Sequence, residues 1–287
     1  MKRRPSRLMI ALTFACGIHG AEASGAEASD TKPLAPSFIN QKERLPSPSL
    51  QTLSRLRFIT TVDFPPFNML SDRGQLSGYN VDLAKALCRQ LGVDDICQIE
   101  AVPWDELEER LLGGQAEAII AGWNPTDANR EQFAFTRSYM RLPARFATAN
   151  ADVFNGDPGT ATRGKEVGVV VGTAHEQLLK SYFPEAAAKP YADASLMLAD
   201  LKGGKISAVF HDGMALSLWL NGPEGHACCT FAGGPYLAPQ FLGSGLSIAV
   251  AQQNAPLVNA FNNALQALQQ KGTLTELYLR YFPNSFY

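Results

Sequence analysis

The sequence predicts a mixed α/β protein of two similar lobes with a cleft between them, and three observations carry that reading. Strand-like and helix-like segments alternate from residue 56 onward, as they do in layered sheets and helices. One local pattern occurs twice: residues 112–120 (LGGQAEAII) and 202–210 (KGGKISAVF) each read as a helix stopped by two glycines, a polar turn and an apolar strand. The segments that follow, a strand at 246–250 and helices at 256–271 and 273–281, have no partner lobe of their own. They therefore return to the first lobe, so the chain crosses the gap twice, near 142–145 and near 233–239, and two crossings make a hinge.

In chain order, residues 56–61 (LRFITT) are rich in β-formers and run into the turn at Pro65 and Pro66. Asn80 is placed to cap a helix whose Val81, Ala84, Leu87, Cys88 and Leu91 share one face, with Gly92 as its stop. A strand at 98–102, a helix at 105–112 and a buried strand at 118–121 complete the first run. The second run reads as a strand at 166–171, helices at 174–182 and 195–202, and a strand at 208–210. Open α/β sheets bind ligands beyond the carboxyl ends of their strands, so two such lobes face one another across a binding cleft.

Ahead of these elements, Lys2, Arg3, Arg4 and Arg7 precede an apolar stretch at 8–16, which is too short to span a bilayer and reads as a secretory signal peptide. Small-residue cleavage patterns follow at 21–23 and 26–28 (AEA in both), and Cys16 lacks the Leu or Val three positions upstream that lipid anchoring favours. Residues 1–23 are thus assigned to the signal and 24–52, with Pro33, Pro36, Pro46 and Pro48 among polar residues, to a flexible leader. Lobe 1 is expected to comprise 53–143 plus 237–287, and lobe 2 to comprise 144–236.

With 25 Lys and Arg against 27 Asp and Glu, and no basic cluster after the signal, the chain lacks the electrostatic footprint of a nucleic-acid binder. Export to an oxidising compartment favours disulfides. A short helix-to-strand return brings Cys88 and Cys97 within bridging range, whereas Cys228 and Cys229 are open to two readings, free buried thiols or a bond between neighbours. Zinc-site spacings are missing, and no metal or cofactor is expected.

An ordered series of motifs carries a resemblance: 60–67 (TTVDFPPF), 78–84 (GYNVDLA), 103–105 (PWD), 118–122 (AIIAG) followed by Thr126, Phe135 and Thr136 with Tyr139, then Gly172 and Thr173, 208–212 (AVFHD), 243–248 (GSGLSI), and Tyr281 with Phe282. The chain resembles the family 3 solute-binding proteins of polar amino-acid uptake systems over essentially everything after residue 53. The resemblance implies a type II periplasmic-binding-protein fold, a periplasmic location, an amino acid or related small ligand, an ABC transporter permease as partner, a monomeric state and no catalytic residues.

It also implies the ligand contacts. Phe64 and Trp104 would sandwich the ligand, with cation–π attraction for cationic side chains. Thr61 joins them on the first strand's loop. Ala121 and Gly122 would offer backbone groups, with Asn124 taking a hydroxyl's part. Thr173 opens a helix whose free N–H groups suit a carboxylate, His175 stands where the family has a polar contact, and Asp212 would pair with an α-ammonium. One departure stands out. The family's carboxylate-binding Arg lies six residues before the Phe matched by Phe135, which is Asn129 here, with Arg130 one residue on. A one-residue offset on a helix turns a side chain by roughly 100°. Arg130, with Arg145 beside the hinge as a second cation, is nonetheless carried as the candidate. Two other functions share the scaffold: an exported cyclohexadienyl-dehydratase-like enzyme, for which only His175 with Glu176 offers an acid/base pair, and an accessory protein of a periplasmic dehydrogenase.

Overall fold

The computed structural model describes residues 35–46, 50, 53–150, 154 and 156–287, so the signal segment lies outside the described residues. No described helix is long and apolar enough to cross a membrane. Among the described residues twelve strands occur in chain order: β1 (Leu56–Thr60), β2 (Met69–Leu70), β3 (Leu76–Ser77), β4 (Cys97–Ala101), β5 (Ala118–Ile119), β6 (Phe133–Phe135), β7 (Ala144–Ala149), β8 (Glu166–Val170), β9 (Ala187–Tyr191), β10 (Ala208–Asp212), β11 (Cys229–Phe231) and β12 (Ala249–Ala251).

They build two five-stranded sheets of matching design, ordered β4-β1-β5-β12-β6 and β9-β8-β10-β7-β11, with β2 and β3 as a separate hairpin. In each sheet three parallel strands are followed by one antiparallel strand that arrives from a crossing, β12 in the first and β7 in the second. The repeated sequence pattern is therefore a repeated structure. Gly114 and Gly204 take nearly the same left-handed φ, 67° and 68°. The N–H of Gln115 donates to Arg110 O and that of Lys205 to Asp200 O, each at 2.9 Å, closing the two helices in the same way.

Alternation along the strands sends side chains to opposite faces. Phe58 packs with Leu83, Leu87 and Phe261 from the helices Tyr79–Leu91 and Pro256–Gln270, while Ile59 joins Leu107, Leu111 and Trp123 on the other face. In the second sheet Phe210 meets Phe146, Leu178 and Leu179, and Val209 meets Met197, Leu201 and Leu216. Each buried Phe or Leu of this kind contributes about 1.5–3 kcal/mol.

The crossings are paired where they leave the lobes. Ala144 and Tyr236 exchange N–H···O bonds of 3.1 and 3.0 Å, and Met140 and Leu246 form a second bridge. Cys88 and Cys97 are bonded, with Cα atoms 6.2 Å apart, and so are Cys228 and Cys229, which resolves the alternatives left by the sequence.

Two expectations are corrected here. Asn80 does not cap its helix: Gly78 does, at φ 127°, where a Cβ would lie 2.2 Å from Phe67 O, and Asn80 is buried in the first turn. Nor is the leader free over its described part. Ile39 is buried in the first core, Gln266 Nε2 donates to Asn40 O and Glu43 O at 2.7 and 2.8 Å, and Glu43 pairs with Arg137. Prolines and polar residues dominate the composition of the segment, and one Ile supplies its anchor.

Candidate ligand-binding cleft

The site is built from strand ends. On the first sheet, Trp104, Gly122, Trp123, Asn124, Asn129, Asp105 and Glu108 line a cavity of about 310 Å³. Trp104 is 55% exposed, its indole standing edge-on to Trp123 with ring centroids 6.3 Å apart. Trp123 is buried, and its Nε1 has no hydrogen-bond partner among the described residues. Phe64 stacks on Phe67 at 4.7 Å and lies over Gly122, whose φ of 85° and lack of a side chain make room for the ring.

The second sheet supplies Thr173 and His175 after β8, and Asp212 at the end of β10. Asp212 is the N-cap of the helix Gly213–Asn221, its Oδ1 accepting from Ala215 N at 2.8 Å. Burial pushes its carboxyl up to about 6, against the opposing pull of the Ala215 and Met214 N–H groups. No cation pairs with it among the described residues. A carboxylate held this way favours an incoming ammonium.

Beside it, the rings of His175 and His211 are 5.2 Å apart, and His175 Nε2 and His211 Nδ1 are buried without partners among the described residues. Burial, reinforced by His211, lowers His175 to about 4, and burial lowers His211 as well. His211 was not singled out in the sequence, although it stands inside the AVFHD motif one residue before Asp212. Thr173, His175 and Asp212 do not line the cavity on the first sheet.

Several candidates take other roles. The Thr61 side chain is buried and its Oγ1 accepts from Asn68 Nδ2, at the end of a chain running from Tyr139 OH through Asn80 and Asn68. Asn124 is committed to the second crossing: its Nδ2 donates to Leu242 O at 3.3 Å and its Oδ1 accepts from Gly245 N at 3.2 Å. Ala121 is buried in the core, in the same cluster as Trp123. Arg130 does not line the cavity; its guanidinium lies 5.7 Å from the Phe135 ring, and the residue that does line it is Asn129. The helical turn at Asp127–Arg130 explains this, because Thr126 and Asn129 form a reciprocal capping box that fixes which residue faces inward. Arg145 is spent on the hinge, with Nε donating to Gly233 O at 2.9 Å, Nη1 to Phe286 O at 3.2 Å, and its guanidinium over Phe231.

Thr173 caps the helix Ala174–Tyr182 through its Oγ1, which accepts from Glu176 N at 3.2 Å. Glu176 reaches back to accept the Gly172 N–H at 2.7 Å and pairs with Lys180 at 2.6 Å. These contacts hold its carboxyl below the usual range.

Comparison with known proteins agrees with this architecture. An arginine-binding protein of an Escherichia coli K12 ABC transporter, provisionally named as number 2, is 32% identical, covering 79% of this chain and 90% of its own. The arginine-binding periplasmic protein of Mannheimia haemolytica is 29% identical, covering 75% and 86%. Among solved structures, the L-cystine solute receptor of Neisseria gonorrhoeae in its unliganded open conformation shares the fold at a TM-score of 0.69 and 19% identity, covering 81% and 94%. The description of the bacterial extracellular solute-binding proteins, family 3, matches residues 56–284, and the chain belongs to that family.

Proposed function

We propose that the chain is the exported solute receptor of an ABC uptake system, which closes two lobes, 53–143 with 237–287 and 144–236, around a small amine-bearing solute. The most direct candidate is an amino acid with a cationic side chain. Asp212 carries the reading: a desolvated carboxylate at a strand end, without a cation of its own, is suited to a ligand ammonium. Trp104 offers an exposed indole face to a second cationic group, with Asp105 and Glu108 beside it. The relatives named as arginine-binding proteins support the same solute class.

The mechanism is a population shift. A ligand that touches both lobes only when they are closed stabilises the closed form, and the hinge is the paired crossing at Ala144 and Tyr236. Closure then presents a changed surface to a membrane permease, and no bond is made or broken. Residues 1–23 act as the export signal to the periplasm. A thermal-shift screen of the mature protein against amino acids, dicarboxylates, amines and sugars tests the proposal: a binder at a hundred times its Kd stabilises by about 2.7 kcal/mol. A response only to anions or sugars would refute it.

A further inference from the structure

The places where a cleft of this design could hold a ligand carboxylate are already filled or neutral. On the first sheet, Asn129 lines the cavity, and its amide is committed: Oδ1 accepts the Thr126 N–H at 2.7 Å and Nδ2 donates to Asn124 O at 3.1 Å. No Lys or Arg is among the described residues lining that cavity, which instead has Asp105 and Glu108, neither in an ion pair among the described residues. On the second sheet, the start of the helix Ala174–Tyr182 is the natural anion site. There the protein's own Glu176 carboxylate turns back to accept the Gly172 N–H, which places a negative charge beside the start of the helix. The nearby buried cation, Arg145, is turned to the carbonyls of Gly233 and Phe286.

We infer that the cleft anchors its solute through cationic groups alone, so that an amine lacking a carboxylate is bound as well as, or better than, the corresponding amino acid. This rests on the proposed binding role of the cleft and specifies its solute class. An ammonium pairs with Asp212, and a guanidinium or second ammonium meets the indole of Trp104 with Asp105 and Glu108 at the rim. A ligand carboxylate brought into the same space loses water and finds no cation, while like charges stand near it.

The test is calorimetric titration of the mature protein with arginine and with agmatine, which is arginine with its carboxylate removed. Agmatine is expected to bind within tenfold of arginine or more tightly. Arginine binding more than tenfold tighter overturns the inference and leaves the receptor reading standing, whereas failure of both ligands overturns the two together. Asn129→Arg supplies the missing cation and is expected to raise the arginine-to-agmatine affinity ratio at least tenfold. An unchanged ratio in a variant that melts like the parent overturns the inference, because it means that the carboxylate does not lie near this position.

Discussion

The ring of Phe64 lies so close over Gly122 that a Cβ at that glycine would come within 2.7 Å of Cε1 and 2.9 Å of Cδ1. The glycine's φ of 85° is also a conformation that other residues adopt at a cost. Gly122→Ala is therefore expected to lower stability by about 1–3 kcal/mol through backbone strain and to displace the ring. Denaturant titration measures the first effect and ligand titration the second. Full stability with unchanged affinity would mean that the ring is not held by this glycine.

Asp212→Asn is expected to stabilise the ligand-free protein while abolishing ligand-induced stabilisation. The carboxyl's folded value of about 6 lies above its ordinary 3.8, so the folded state holds the proton more readily than the unfolded chain. Its favourable contribution is full below 3.8 and is lost as pH rises through about 6, leaving an ionised, desolvated group at neutral pH. An amide keeps the cap to Ala215 N without that penalty. The gain should be on the order of 1–3 kcal/mol at pH 7, read from the melting temperature of the variant with and without ligand.

The same carboxyl sets a pH dependence of binding. A cationic solute requires the ionised form, so affinity should fall roughly tenfold between pH 7 and pH 5. His175, lowered to about 4, stays neutral over that span and adds no charge of its own, and burial lowers His211 as well. Titrations across the range would contradict this assignment if affinity stayed flat.

Ile39→Ala tests the docking of the leader. The side chain is 5% exposed, and removing a buried Ile to Ala costs about 2–5 kcal/mol in a well-packed core. Limited proteolysis should cut the variant between residues 35 and 46 faster than the parent, and equal rates would show that Ile39 does not hold the segment.

What the sequence revealed follows from how local each signal is. The helices Ala174–Tyr182 and Thr273–Tyr281 match their expected bounds because a cap or a glycine stop marks their ends. The paired glycines at 113–114 and 203–204 announced the repeated design for the same reason. Strand β9 was missed because Pro190 argues against a strand, yet β9 is an edge, where a missing N–H is tolerated. At the cleft, residue type and strand-end position pointed to Trp104, Phe64 and Asp212. The commitments of Asn124 to residues 242–245 and of Thr61 to Asn68 are long-range or buried contacts that no local pattern displays. Arg130 lies off the first-sheet cavity for a geometric reason, since the capping box turns Asn129 inward.

In the proposed mechanism two lobes close around a cationic solute held by Asp212. Small-angle scattering of the mature protein, with and without saturating arginine or agmatine, tests it most directly. The radius of gyration is expected to fall with ligand in the parent and to stay at its ligand-free value in Asp212→Asn. An unchanged radius in the parent under conditions where calorimetry shows saturation would contradict closure, and an equal decrease in both proteins would contradict the role of Asp212.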